Sequence, residues 1–218
     1  MGRKSAELKK TKLILAEGAD EMYWLIHLID ALKIEEIQVL DFGGNDDLRS
    51  YLEALILNRD FKKVTSILIA RDSETSTESA IKSVNESLRK VELIHRDIEP
   101  FEFVPFEKRV GFVLFPGYLD PEQKKICSSG TLEDLCLRIL DSESKTAQNH
   151  VAGYLEDFSS KQKTQFSRIH KNRFHSYISF TDKFVGMKVG ETMKAGNQGL
   201  YDLNSPYLKP FIDIIREM

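Results

Sequence analysis

The 218-residue chain has no apolar stretch near the roughly 20 residues that cross a bilayer, so a helical membrane span is excluded and no membrane partner is expected. The N-terminus, Met1-Gly2-Arg3-Lys4-Ser5-Ala6, lacks the apolar core of a secretory signal and the pattern of a lipid anchor. A cytoplasmic protein is the expectation. Cysteine is scarce. Cys127 and Cys136 lie nine apart with no paired partners nearby, which is not zinc-ligand spacing, and two reduced, partly buried thiols are expected. Neither sign of charge dominates, because 31 basic against 34 acidic residues leave a net −3. The molecule as a whole does not advertise nucleic-acid binding, so the local distribution of charge must carry any such argument. Repeats and low-complexity tracts are absent too. The length suits one substantial core, or one core with a smaller helical appendage.

What is present is an alternation of strand and helix. Apolar runs at 12–16, 37–40 and 64–70 have the length of buried strands, and each leads into a helical pattern, at 19–32, 48–56 and 76–90. Asn45 or Asp46 is a plausible cap for the second helix, and Ser76 or Thr77 for the third. This rhythm predicts an α/β fold with a parallel-rich sheet flanked by helices. A long connection, 91–109, precedes a fourth strand at 110–116, and a further helix opens at Thr131 or Ser129. Beyond residue 142 the pattern is helical, at 145–165, 167–179, 186–195 and 205–217. The division expected is an α/β core over 1–140 with a helical C-terminal extension over 141–218 packed on it. The last helix, with Leu208, Phe211, Ile212 and Ile215, suits packing at home or on a partner.

Acidic residues cluster where the strands end. Glu17-Gly18 follows the first strand, with Asp20 and Glu21 close behind; Arg71-Asp72-Ser73-Glu74 follows the third. Open α/β sheets bind ligands at the carboxyl ends of their strands. Carboxylates gathered there repel one another unless a cation neutralises them, and oxygen-only ligands suit Mg²⁺ or Mn²⁺. Acids at a helix start are routine, which accounts for Asp20 and Glu21 but not for Glu17, emerging directly from an apolar strand. Alternation along the third strand points Asp72 and Glu74 to one side, though Asp-x-Glu alone also fits a turn and cap. Glu133 and Asp134 stand at another helix start, where either reading holds. The Asp41-Phe42-Gly43-Gly44-Asn45-Asp46 turn offers backbone amides to a phosphate, or simply meets a tight turn's need for glycine.

Residues 158–181 contain no acid but carry Lys161, Lys163, Arg168, Lys171 and Arg173, together with His170 and His175. On a helix, Phe166, Phe174, Tyr177 and Ile178 form the buried stripe, and Arg168, Lys171 and His175 line up beside it. Such a row suits phosphates or, equally, a solvated basic face.

The segments Leu13-Ile14-Leu15-Ala16-Glu17-Gly18-Ala19-Asp20-Glu21, Gly43-Gly44-Asn45-Asp46 and Ile69-Ala70-Arg71-Asp72-Ser73-Glu74 together resemble a Toprim domain, the catalytic fold shared by topoisomerases, primases and OLD-family nucleases. Glu17 matches the glutamate of that pattern; Asp72 and Glu74 occupy its Asp-x-Asp positions. Gly130-Thr131-Leu132-Glu133-Asp134-Leu135 resembles an additional acidic motif of the OLD branch, and Lys171-Asn172-Arg173-Phe174-His175 its lysine-bearing helix. The whole chain also resembles a group of small stand-alone Toprim-like proteins. Two positions depart from the pattern: Glu21 stands for the usual Asp, and Glu74 for the second Asp, each a methylene longer. The resemblance includes no ATPase domain, unlike full-length OLD proteins, so the expectation is either activity that needs a protein partner or a homo-oligomer, or activity that has been lost.

The resemblance implies metal-dependent phosphodiester chemistry on nucleic acid, DNA rather than RNA, of the nuclease type. Glu17, Asp72, Glu74 and Glu133, helped by Glu21, would hold one or two Mg²⁺ or Mn²⁺ ions, with Glu17 also catalytic. Lys171 would stabilise the pentacovalent phosphate; Arg168, Arg173, His175 and the Gly43-Gly44-Asn45 turn would contact nucleic acid. Two alternatives stay open. One is a non-catalytic Toprim module that binds a nucleotide or DNA end beside a partner. The other is a receiver- or phosphatase-like domain with Asp72 as phosphoacceptor.

Overall fold

The computed structural model describes residues 7–44, 47–163, 166, 169–195 and 200–218. Its centre is a five-stranded sheet in the order β2-β1-β3-β5-β4. The strands are β1 (Lys12–Ala16), β2 (Ile37–Asp41), β3 (Ser66–Asp72), β4 (Phe103–Pro105) and β5 (Arg109–Phe115). All pairings are parallel except β4 with β5. The expected parallel-rich α/β sheet is therefore present. Every residue of β3, and Leu13 to Ala16 of β1, is buried, as central strands covered on both faces must be.

Side chains alternate between the two faces. Ile14, Ala16, Leu68, Ala70, Val113 and Phe115 point into one apolar cluster. Leu13, Leu15, Ile67, Ile69, Phe112 and Leu114 point into the other. The second cluster is closed by α2 (Leu48–Ile56) and α3 (Thr77–Lys90). The first is covered by α1 (Ala19–Ala31) and by elements that follow the sheet: α4 (Leu132–Arg138), α6 (Ile169–Ser179), α7 (Val189–Ala195) and α8 (Lys209–Glu217). Each large side chain wholly withdrawn from water there contributes about 1.5–3 kcal/mol. Phe211 of α8 stacks on Phe115, centroids 5.2 Å apart, and Arg109 pairs with Glu217 at 2.7 Å. The last helix thus packs on its own sheet, although it begins at Lys209 rather than 205, with a proline in its first turn.

Residues 91–109, read as a connection, contain β4, a three-residue edge strand ending in Pro105, where a missing N–H does no harm. A small sheet pairs β6 (Tyr118–Asp120) with β7 (Lys125–Ile126). The 21-residue α5 (Ser142–Gln162) is capped by Asp141, whose side chain accepts the Ser144 N–H. Among the described residues no helix is long and apolar enough to cross a membrane. Cys127 and Cys136 are both free and buried.

Candidate metal and phosphate site

At the carboxyl edge of the sheet, β1 and β3 run side by side with Ala16 opposite Ala70, so Glu17 and Asp72 leave the sheet together. The Glu17 side chain accepts the Asp72 N–H at 2.9 Å and lies 3.7 Å from the Arg71 guanidinium. Gly18 precedes α1, and a Cβ there would stand 2.9 Å from Glu21 Oε2. The missing side chain leaves room for the Glu21 carboxylate to fold back toward Glu17. Asp20, by contrast, accepts the Gly190 N–H of α7 at 3.2 Å.

The start of α4 closes the site from the next element. Leu132 N–H donates to Asp72 Oδ1 at 2.9 Å. Thr131 and Asp134 form a capping box, the Thr131 N–H donating to Asp134 Oδ2 at 2.9 Å. Of the two acids the sequence offers here, Asp134 is thus the helix cap. Glu133 is left for the site, with Oε2 taking the Thr131 hydroxyl at 2.7 Å and Oε1 3.4 Å from Lys171 Nζ. Lys171 reaches across from α6, whose Phe174, Tyr177 and Ile178 are buried in the core.

The electrostatics follow from this crowding. Burial pushes the Asp72 carboxyl well above its ordinary value, and the charges of Glu21, Glu17 and Glu133 push it further. Burial likewise raises Glu21 to about 7, with Glu17, Asp20 and Glu133 adding to it and its own backbone hydrogen bond opposing. Glu17 is raised by burial, and the Arg71 guanidinium and the Asp72 amide only partly offset this. Burial works against the Lys171 charge, but Glu133 and Asp72 outweigh it and hold the ammonium above its usual range. Four carboxylates therefore converge on two cations, Arg71 and Lys171.

Glu74 departs from the expectation. The strand ends at Asp72, and Glu74 has a left-handed backbone (φ 52°) locked by two 2.8 Å hydrogen bonds exchanged with Gly130. Strand alternation therefore stops before it and its side chain is exposed, although its charge still raises Glu17. Arg173 does not face the acids; it pairs with Glu156 of α5 at 2.7 Å. His175 is exposed on α6. Phe166 precedes α6 rather than joining its buried stripe, and lies near-parallel to Phe158. Gly43 and Gly44, both at positive φ, form a turn one strand away at the same edge. The Asn45, Asp46 and Arg168 expectations fall outside the described residues.

Neither Arg71 nor Asp41 was expected to take part in the site individually, and Thr131 was expected only as a possible helix cap. Arg71 is 4% exposed, and a charge ending an apolar strand was the available signal. Asp41, at the end of β2, keeps Oδ1 buried without a hydrogen-bond partner. Among the described residues, no three His, Cys, Asp or Glu side chains stand as a ready-made set of metal ligands. The acids are turned instead onto amides, a hydroxyl and Lys171. Their chemistry nonetheless fits a hard divalent cation, being all oxygen and in excess over the local positive charge.

The comparisons with known proteins come from structure and from sequence. The C-terminal region of the Xanthomonas campestris pv. campestris OLD protein is similar at a TM-score of 0.48 and 14% identity, over 97% of each chain. The C-terminal region of the Burkholderia pseudomallei OLD protein gives 0.46 and 14% identity, covering 96% of this chain and 98% of that one. No curated protein matches the sequence. The chain belongs to the family described as "Protein of unknown function (DUF3226)", whose model matches residues 11–218.

Proposed function

We propose that this protein performs metal-dependent phosphodiester chemistry on nucleic acid, as a Toprim-like nuclease of the OLD type acting on DNA. The observation that carries the reading is the convergence of Glu17, Glu21, Asp72 and Glu133 on Lys171 at the carboxyl edge of a parallel sheet. Excess buried negative charge must be protonated or neutralised, and Mg²⁺ or Mn²⁺ neutralises it without closing the site to a phosphate.

Glu17, Asp72 and Glu133 would hold the ion, with Glu21 and Glu74 completing the set by side-chain rotation. The bound ion supplies an activated water and charge stabilisation at the attacked phosphate. Lys171 provides a second positive charge from the opposite wall, where it meets the non-bridging oxygens as negative charge builds on them. Arg71 orients Glu17 from beneath. The same burial that raises the acids keeps the local dielectric low, so each charge acts with more than its aqueous strength.

The test is cleavage of single-stranded, duplex and nicked DNA by the purified protein with Mg²⁺ or Mn²⁺, beside a Glu17→Gln variant. Cleavage by wild type alone supports the reading. It fails if the wild type leaves all three substrates intact while Glu17→Gln binds metal equally well.

One observation favours a second reading, a non-catalytic module that binds a nucleotide or DNA end beside a partner. The carboxylates already hold internal hydrogen-bond partners. A thermal shift with nucleotides in the absence of any turnover would support it. The phosphoacceptor reading is disfavoured, since Asp72 is 6% exposed with Oδ1 occupied by the Leu132 amide.

A further inference from the structure

The geometry of α5 and α6 points to an aromatic platform for single-stranded nucleic acid, and we propose that Tyr154, Phe158, Phe166 and Phe180 stack its bases. This rests on the nucleic-acid reading above and specifies the strandedness and a subsite away from the acids.

α5 has 21 residues but buries only Gln148 and Leu155, so aromatic rings elsewhere on it are not there to build the core. Tyr154 is 58% and Phe158 40% exposed, four residues apart on one helical face. Phe180, 69% exposed just beyond α6, meets Tyr154 edge-on with centroids 6.5 Å apart. Phe166, just before α6, lies within 21° of parallel to Phe158 at 6.4 Å. Two ring pairs therefore border one surface, and bases of any sequence stack on such rings because every base has a π-face.

Charge selects the occupant. Over residues 154–181, which carry the rings, five Lys and Arg residues stand against two acids, Glu156 and Asp157, in a chain of net charge −3. Lys161 and Arg173 are steadied beside the rings by Asp157 and Glu156, each at 2.7 Å. A second copy of the chain docking here about a two-fold axis would set this basic segment against itself. A polyphosphate backbone with unpaired bases matches both the rings and the sign of the charge. The platform and the site share α6: Lys171 stands 3.4 Å from Glu133, and Phe180 follows just past the helix end, about 13 Å along the axis and on the opposite side of the helix.

The test is fluorescence anisotropy of labelled oligo(dT), and of a duplex of equal length, with the full chain in EDTA. The wild type is expected to prefer oligo(dT). Tyr154→Ala/Phe180→Ala should weaken that binding by about tenfold or more without moving the urea midpoint, and Tyr154→Trp/Phe180→Trp should retain it. No binding by wild type, or equal affinity in the Ala variant, overturns the platform. So does a wild-type dimer in sedimentation that the Ala variant makes monomeric with DNA affinity unchanged, since the rings then seat a second copy. No metal enters the assay, so loss of the nuclease reading would show only in the Glu17→Gln cleavage comparison.

Discussion

Lys171 Nζ stands 3.4 Å from Glu133 Oε1, an ion pair between a half-exposed ammonium and a carboxylate in a residue that is 5% exposed. The two come from helices separated by thirty residues of sequence, and neither charge is needed to build α4 or α6. Lys171→Met should therefore lower cleavage by about 10²–10³-fold, as loss of one well-placed transition-state donor does. Its stability cost should be about 1 kcal/mol. That is below the value for a wholly buried pair, because water already reaches Lys171. Adding Glu133→Gln should restore the urea midpoint without restoring cleavage. Recovery of both would show the pair to be structural only.

The raised carboxylates fix a direction of pH dependence. Glu21 titrates from an ordinary 4.5 up to about 7 in the folded protein, and Glu17 and Asp72 shift the same way. A raised folded-state pKa means the native state holds its proton more tightly. The associated stability is full below about pH 4.5 and is lost as pH rises through 7. For Glu21 alone the displacement corresponds to about 3 kcal/mol at most. In EDTA, urea midpoints should fall from pH 5 to pH 8, and Glu21→Gln should flatten that slope. A midpoint that rises over this interval in wild type would contradict the electrostatic description of the site.

Metal should reverse that loss. Mg²⁺ or Mn²⁺ replaces the proton as the neutralising charge, so saturating metal at pH 8 should restore the midpoint lost above pH 5. Calorimetric titration should show saturable binding in wild type and none in Asp72→Ala/Glu74→Ala. Equal heats in both proteins would leave these acids as structural groups.

The strand–helix alternation, the sheet class and the acids at the strand ends were legible in the sequence because each rests on a local signal. An apolar run followed by an acid needs no knowledge of neighbours, and of the caps offered in pairs, Ser76 rather than Thr77 and Thr131 rather than Ser129 close their helices. What was not legible depends on contacts made from a distance. β4 is only three residues and exists because β5 offers it an edge. Glu74 leaves the strand register because Gly130, remote in sequence, takes both its backbone hydrogen bonds. Arg173 was expected as a nucleic-acid contact from the resemblance, and Glu156 on another helix pairs with it. Conversely, the local pattern left Glu133 and Asp134 equal and only the resemblance singled out Glu133; α4 shows that Asp134 closes the cap.

Gly130 sits at φ +134°, and a Cβ there would lie 2.8 Å from Pro116 Cδ and 2.9 Å from Asp134 Oδ2. The same residue exchanges both hydrogen bonds with Glu74 and leads directly into Thr131, so one methyl group strains the backbone, the cap and the route to Glu133 together. Gly130→Ala should cost about 2 kcal/mol or more and weaken metal binding alongside stability. Gly153 supplies the control: it lies inside α5 with nothing within 4 Å of its would-be Cβ. Gly153→Ala should raise stability by about 0.5–1 kcal/mol and leave metal affinity unchanged. Urea denaturation and Mn²⁺ titration of the two variants check both outcomes. Tolerance of Gly130→Ala with intact metal binding would show that Glu133 is positioned by something other than this turn.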